Sequence, residues 1–433
     1  MSGELPGRAL VVGAARSGVA VAGALAARGV AVVLHDASAD LQPAVADGVE
    51  LVLGEQDPAA LVGAADVLVK SPGVPGSAPV VEAARAAGVP VWSEVEAGFR
   101  LLGVGVRLVG ITGTNGKTTV TELVGAMLAQ AGADVTVAGN VGVALSHVAG
   151  DVRPGGIVVC ELSSFQLEDV LTLRCDAAAL INLTPDHLDR HRSMAEYGRC
   201  KLRIFERQLP TDTAVLNDDD PWVAALAALP GAAAVVRTHG AHAGALGFDR
   251  SRLRGSHNRE NVAVAAAVAR AMGADLDAIV RAVTAFRPVP HRLEHVGDIG
   301  GVGVWNDSKA TNVDATLKAL TAFPGGALRL ILGGSDKGAD FAPLVAALGG
   351  AVRAVYLIGP AGRRLAPLLA GVVAATVCDT LEPALDAALA DARPGEAILL
   401  APACASFDEF SSYEARGDRF RALALARRAV IPD

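Results

Sequence analysis

Between an apolar strand pattern and a helix pattern lies Gly110-Ile-Thr-Gly-Thr-Asn-Gly-Lys-Thr-Thr119. Glycines let a backbone wrap an anion, and the free N–H groups of a helix start point at it. Lys117 supplies charge for the outer phosphates of a nucleotide, and the Thr118 hydroxyl suits Mg2+. The strict spacing G-x-x-x-x-G-K-S/T would need glycine at 111, which is Ile, so this loop is a variant with glycines at 110, 113 and 116. The plain alternative, a glycine-rich turn with a surface lysine, is disfavoured by the strand-loop-helix context.

Other polar clusters follow apolar runs. Glu161-Leu-Ser-Ser-Phe-Gln166 follows a strand pattern ending at Cys160, where a carboxylate can reach a metal on a neighbouring phosphate loop. Asn182-Leu-Thr-Pro-Asp-His-Leu-Asp-Arg-His191 offers acid, base and metal-ligand types; alone it reads equally well as a loop of caps and surface charges. His257-Asn258-Arg-Glu-Asn261 opens a helix, where Asn is also a common cap. His291-Arg-Leu-Glu294, Asn306-Asp-Ser-Lys-Ala-Thr-Asn312, Gly333-Gly-Ser-Asp-Lys-Gly338 and Ala401-Pro-Ala-Cys-Ala-Ser-Phe-Asp408 complete the set. Gly13-Ala-Ala-Arg-Ser-Gly18, with Asp36 downstream, suggests a diphosphate turn, although Ala15 replaces the middle glycine of a dinucleotide fingerprint. Cys404 has no nearby His in sequence and is not expected to be a nucleophile.

These clusters need elements to hold them. Strand patterns at Ala9–Val12, Val30–His35 and Val67–Val69 alternate with helix patterns, as do Leu108–Ile111, Ile157–Cys160, Ala178–Leu183, Leu328–Leu332, Ala354–Ile358 and Ala397–Leu400. Such alternation predicts parallel sheets, whose ligands sit beyond the carboxyl ends of strands. We expect an α/β protein of three domains: an N-terminal Rossmann-like domain over 1–105, a central P-loop-type ATPase domain over 106–288, and a C-terminal Rossmann-like domain over 289–433.

Composition narrows the function. The 433 residues carry 38 Lys and Arg against 46 Asp and Glu, a formal charge of −8. That argues against a nucleic-acid binder, though a local pocket can still be basic. Apolar residues make up 52% and aromatics only 4%, so Ala, Val and Leu must build the cores. No run of eighteen apolar residues suggests a membrane span, and no secretory leader is evident. Five scattered cysteines without a C-x-x-C pair fit reduced thiols. A cytoplasmic monomer without membrane or nucleic-acid partners is the expectation.

Taken in order, the motifs G-T-N-G-K-T-T, E-L-S-S-F-Q-L-E, N-L-T-P-D-H-L-D-R-H, K-L-R-I-F-E, H-N-x-x-N, H-R-L-E, N-D-S-K-A-T-N and G-G-x-D-K-G resemble the Mur ligase family over essentially the whole chain. Asp307–Asn312, the Lys337 loop and Ser406-Phe-Asp-Glu-Phe-x-x-Tyr413 ahead of Arg416-Gly417 are similar to the D-glutamate-adding branch. The resemblance implies a magnesium- and ATP-dependent ligase of cytoplasmic peptidoglycan precursor synthesis, acting on UDP-MurNAc-L-Ala and D-glutamate through an acyl phosphate. It assigns the phosphates to Gly113, Thr114, Asn115, Gly116, Lys117, Thr118 and Thr119, one Mg2+ to Thr118 and Glu161, and a second to His187 and a carbamylated Lys201. It assigns ATP also to Asn258, Asn261, Arg292, Asp307 and Lys309, and D-glutamate to Thr311, Lys337, Ser406, Phe407 and Tyr413. Arg16, Ser17, Asp36, Ser71 and Gly73 would bind UDP, with Asn140 and His187 towards the sugar-peptide end.

Three alternatives stay open. One is a Mur-type ligase that adds a different amino acid. A second is an NAD-linked oxidoreductase built on Gly13–Gly18 and Asp36, which leaves Lys117 unexplained. The third is a nucleotide-gated binding module, which leaves Arg292, Lys309 and Lys337 unexplained.

Overall fold

The computed structural model describes residues 5–430 except 141, 288–289, 324, 326, 337 and 351. Three sheets organise it. The first contains β1 (Arg8–Val12), β2 (Ala31–Asp36), β3 (Val49–Leu53), β4 (Val67–Lys70) and β5 (Val91–Ser93) in the order β3-β2-β1-β4-β5, all parallel. The second contains β6 (Arg107–Thr112), β7 (Val135–Gly139), β8 (Ile157–Glu161), β9 (Ala177–Leu180), β10 (Thr213–Asn217) and β11 (Ala234–Thr238), ordered β11-β10-β9-β6-β8-β7 and again all parallel. Central strands of such sheets are covered on both faces, so they read as unbroken apolar runs. Ala-Ala-Ala-Leu of β9, wholly buried, is the extreme case.

The third sheet contains β12 (Glu294–Ile299), β13 (Val302–Asn306), β14 (Leu328–Gly333), β15 (Val352–Ile358), β16 (Ala374–Asp379) and β17 (Ala397–Leu400), ordered β12-β13-β17-β14-β15-β16. The strands expected here, β14, β15 and β17, pair in parallel, while β12, which was not expected, pairs antiparallel with β13. The cause is a two-residue turn, Gly300-Gly301, with φ of 56° and 75°. Left-handed values at both positions are what a tight hairpin asks for, and glycine adopts them without strain.

Packing groups the chain into two compact units, Met1–Arg250 with Glu260–Ala285, and Ser251–Arg259 with Phe286–Asp433. The first two sheets therefore share one unit. A continuous apolar cluster runs from Ala9 and Val11 through Val95 and Leu101 to Val158 and Leu180. Polar bonds cross the same region. Glu96, fully buried, accepts backbone N–H bonds from Leu171, Thr172 and Leu173 at 2.9–3.0 Å and the Thr172 hydroxyl at 2.6 Å. Lys70, also buried, pairs with Asp169 at 2.6 Å and Glu168 at 3.2 Å. A buried charge is tolerable only when paired and hydrogen-bonded in this way. Among the described residues no helix is long and apolar enough to cross a membrane.

Candidate active site

Strand order reverses between β6 and β9, and the polar loops leave those two strand ends. Ligands of open α/β sheets bind at such a switch point. The phosphate loop leaves β6, and Asn182, just past β9, braces it. Its Oδ1 accepts from the backbone N–H of Thr114 (3.1 Å) and Asn115 (2.9 Å), and its Nδ2 donates to the Asn115 carbonyl (3.1 Å). Gly116, at φ 84°, opens the helix Lys117–Gln130, and a Cβ there would stand 2.5 Å from Asn261 Oδ1. Only glycine allows both the backbone angle and that approach. Lys117 Nζ curls over the loop, donating to the carbonyls of Gly113 (3.0 Å) and Thr114 (2.8 Å).

At the end of β8, Glu161 meets this helix start. The Thr118 hydroxyl donates to its Oε2 at 2.6 Å, and Asn140 Nδ2 donates to Oε1 at 3.2 Å. A hydroxyl and a carboxylate beside an anion-binding helix terminus suit Mg2+, which takes one or two protein oxygens and completes its shell with phosphate and water. The second-metal pair, His187 and Lys201, does not fit as it stands. Lys201 is buried and its Nζ donates to the Gly113 carbonyl at 2.7 Å, so the bare amine is no metal ligand. Burial, then the charge of Lys117, hold its ammonium well below the usual lysine range. Among the described residues no group of three or more His, Cys, Asp or Glu could hold a metal by itself.

The loop after β9 is tightly stitched to this site. His187 and Arg192 are left-handed, with φ of 54° and 60°. Phe165 lies parallel to His191 at 5.1 Å and meets the His187 ring edge-on at 4.8 Å. His191 Nε2 shares a 2.8 Å hydrogen bond with the Ser164 hydroxyl, and burial pushes its imidazole pKa down. Thr114 Oγ1 joins the phosphate loop to the same segment, donating to the Thr184 carbonyl (3.1 Å) and accepting from the Tyr197 hydroxyl (3.2 Å).

The sugar-nucleotide candidates gather at the ends of β1, β2 and β4. Asp36 accepts from the backbone N–H of Ala14 (2.8 Å) and of Ser38 (3.0 Å), so its carboxylate shapes the turn. The Ser71 hydroxyl donates to the Gly13 carbonyl at 2.9 Å. A Cβ on Gly18 would fall within 1.8 Å of that same carbonyl oxygen, so glycine is required there. Arg16 and Gly73 are exposed and Ser17 half-buried at this turn.

In the second unit the remaining candidates sit at the ends of β13 and β17 and before β12. Asp307 is buried, accepts from Leu293 N–H at 3.2 Å, and has its pKa pushed up to about 7 by burial, against the opposing pull of that bond and of Arg292. Lys309 Nζ lies 3.8 Å from the centre of the Tyr413 ring, a cation–π contact. Thr311 is half-buried and Phe407 exposed. Among the described residues the buried Ser406 hydroxyl has no hydrogen-bond partner. Asn258 Nδ2 donates to the Arg254 carbonyl at 2.7 Å from the first turn of the helix Ser256–Ala271. Lys337 lies outside the described residues.

Asp307 supports a pH prediction. Its folded pKa stands above its unfolded one, so the fold favours the protonated form. The penalty is absent below pH 4, grows to about pH 7 and is full above that, reaching on the order of 4 kcal/mol. Asp307→Asn should therefore raise the Tm of the nucleotide-free protein, by more at pH 8 than at pH 5, in thermal denaturation followed by circular dichroism. An equal shift at both pH values contradicts it.

Three residues that shape the site were given no role from sequence. Asn182 braces the phosphate loop. Arg190 bridges to residues 72 and 74. Arg416, wholly buried, donates to the Ser308 hydroxyl and to the carbonyls of Ser308, Cys404 and Ala405, tying together the turns that carry Lys309 and Ser406. Asn182 could have been found, since it leads a polar cluster at the end of an apolar run. Nothing in the sequence marks which carbonyls the two arginines meet.

A phosphate loop at the switch point of a parallel sheet, with a magnesium-type carboxylate on the next strand, defines an ATP-using α/β enzyme. Comparison with known proteins sharpens that class. Residues 7–93 match the Mur ligase MurD-like N-terminal domain, 111–250 the Mur ligase middle domain, and 291–404 the Mur ligase glutamate ligase domain. The UDP-N-acetylmuramoylalanine–D-glutamate ligase of Solibacter usitatus is 45% identical, with 96% of each chain covered. The Rubrobacter xylanophilus ligase of the same name is 43% identical, covering 98% of this chain and 99% of that one. The UDP-N-acetylmuramate-alanine ligase MurC of Thermotoga maritima shares the fold at TM-score 0.57 and 17% identity, over 98% of this chain and all of that one. The chain belongs to the Mur ligase family.

Proposed function

We propose that the chain is an ATP-dependent ligase that joins D-glutamate to UDP-N-acetylmuramoyl-L-alanine, as a cytoplasmic monomer in peptidoglycan precursor synthesis. Three functional lobes, divided near residues 105 and 288, hold the sugar nucleotide, the ATP and the amino acid. The observation that carries the reading is the 2.6 Å pairing of Thr118 with Glu161 beside the phosphate loop, in a chain whose full-length relatives are named for this reaction.

The chemistry joins three anionic reactants, so the protein must supply positive charge. Lys117 and the backbone N–H groups of Gly113–Thr119 receive the ATP phosphates. The family resemblance assigns Asn258, Asn261, Arg292, Asp307 and Lys309 to the rest of the nucleotide. Bound Mg2+, held by Thr118 and Glu161, would offset phosphate charge. A carboxylate oxygen of the L-alanyl group attacks the γ-phosphorus, the bond to ADP breaks, and an acyl phosphate forms. The neutral amine of D-glutamate then attacks the acyl carbon, a proton leaves the nitrogen, and inorganic phosphate departs. The Ser406 hydroxyl, buried with its hydrogen bonds unspent, suits a glutamate carboxylate beside Thr311, Phe407 and Tyr413. The family resemblance assigns the side-chain carboxylate to Lys337. Arg16, Ser17, Asp36, Ser71 and Gly73 hold UDP, with Asn140 and His187 towards the lactyl-alanine end.

Lys201 is proposed to act as its carbamate, an anion on a long stem that, with His187, would make a second Mg2+ site. The proposal takes support from the family resemblance and from the burial of the amine beside Lys117.

An amino-acid panel tests the substrate assignment. With ATP, Mg2+ and UDP-N-acetylmuramoyl-L-alanine present, D-glutamate should release phosphate at least about 100-fold faster than L-glutamate or D-aspartate, because a misplaced charged group leaves buried polar partners unpaired. Comparable rates with another amino acid would transfer the assignment to that substrate.

A further inference from the structure

We propose that Arg190 is a positioning residue that holds the sugar-nucleotide turn of the first sheet in register with the His187 loop of the second. The proposal rests on the substrate reading above and goes beyond it. The Arg190 guanidinium reaches out of the loop after β9 to the turn after β4. Its Nη1 donates to the Pro72 carbonyl at 3.1 Å and its Nη2 to the Val74 carbonyl at 3.0 Å. That turn is the one whose Ser71 hydroxyl grips the Gly13 carbonyl, at the mouth of the proposed diphosphate site. On its other side the guanidinium carbon sits 3.9 Å from the centre of the Phe165 ring. The same ring packs on His187 and His191. One planar cation therefore joins three parts: the turn that would take UDP, the segment carrying the proposed metal histidine, and the strand-end loop that begins at Glu161.

The choice of arginine follows from the geometry. Two carbonyls two residues apart match the fixed fork of a guanidinium, whose flat face can stack on an aromatic ring at the same time. A lysine supplies a point charge with no flat face, so it cannot pair both carbonyls in one plane and stack on the ring together. Arg190 is mostly shielded, at 21% side-chain exposure, and Glu168 lies 3.8 Å from Nη2, so its charge is balanced without drawing the fork away from the turn. The phosphate loop has its own brace in Asn182, so loss of Arg190 should loosen the sugar-nucleotide turn and leave nucleotide binding intact.

The test uses Arg190→Gln and Arg190→Lys in the full chain, with binding read by calorimetry and turnover by phosphate release. For Arg190→Gln, Kd for UDP-N-acetylmuramoyl-L-alanine should rise about 10- to 50-fold, the worth of two charge-assisted hydrogen bonds. Arg190→Lys, the variant safer for folding, should lose most of the same affinity. The Mg2+ concentration for half-maximal turnover should rise several-fold in both, ADP affinity should stay within twofold, and methylguanidinium should restore part of the Arg190→Gln loss. Sugar-nucleotide affinity within twofold of the wild type in both variants, or an equal loss for ADP, overturns the proposal. A wild type that binds the sugar nucleotide but releases no phosphate with D-glutamate defeats the ligase reading alone, because the binding arm still tests Arg190. A wild type that does not bind it defeats both.

Discussion

Replacing Lys117 with methionine should lower substrate-dependent phosphate release by about 10²- to 10³-fold, the usual scale for removing one preorganised charged donor from a site where transition-state charge develops. The side chain keeps most of its length and apolar stem and loses its charge and its N–H donors. In the resting protein Lys117 Nζ donates to two carbonyls of its own loop, those of Gly113 and Thr114. The loop's shape is fixed independently by Asn182 and by the left-handed Gly116. Tm should therefore change by no more than a few degrees while turnover collapses, and that separation identifies a catalytic role. Turnover within tenfold of the wild type would remove Lys117 from the phosphate site. The effect should fall mainly on kcat, since charge grows on the bridging oxygen as ADP departs, whereas much of the ground-state binding comes from backbone N–H groups the substitution leaves in place.

What could be read from sequence follows a physical boundary. The phosphate loop, the Glu161 strand end and the central strands β1, β6 and β14 were all legible, because each is specified within about ten residues: an unbroken apolar run, glycines where the backbone must turn, then a helix start. The edge strands β3, β7, β11 and β16 were not singled out. They are partly or largely exposed, β11 and β16 almost throughout, so no buried face imposes a pattern on them. The antiparallel β12 was missed although Gly300-Gly301 is a hairpin signal, since the parallel pattern of its neighbours dominated the reading. The joining of the first two sheets into one packed unit was invisible for another reason. Glu96 meets backbone N–H groups 75 to 77 residues away, and amide groups are the same at every position, so no residue type announces the partner. The partners of Arg190 and Arg416 were hidden for the same cause, as both spend most of their guanidinium donors on carbonyl oxygens.

Lys201 should prove as consequential as Lys117, for a different reason. Both lysines direct an ammonium at a single acceptor, the Gly113 carbonyl, at 2.7 Å and 3.0 Å. Two like charges sharing one oxygen, one of them buried, disfavour ionisation, and the group out of water yields first. A neutral amine adds carbon dioxide: a nitrogen–carbon bond forms, a proton passes to solvent, and a carbamate remains. Its N–H would still be able to donate to Gly113, and its carboxylate would bring an opposite charge near Lys117 instead of a like one. Protein equilibrated with 13C-labelled bicarbonate should therefore show a carbamate carbon resonance that is missing from Lys201→Gln. The same variant should lose about 10²- to 10³-fold in turnover if the carbamate is an electrostatic part of the site. An unlabelled wild type, together with a Lys201→Gln enzyme of near-normal rate, would show that the buried amine serves the loop's shape alone.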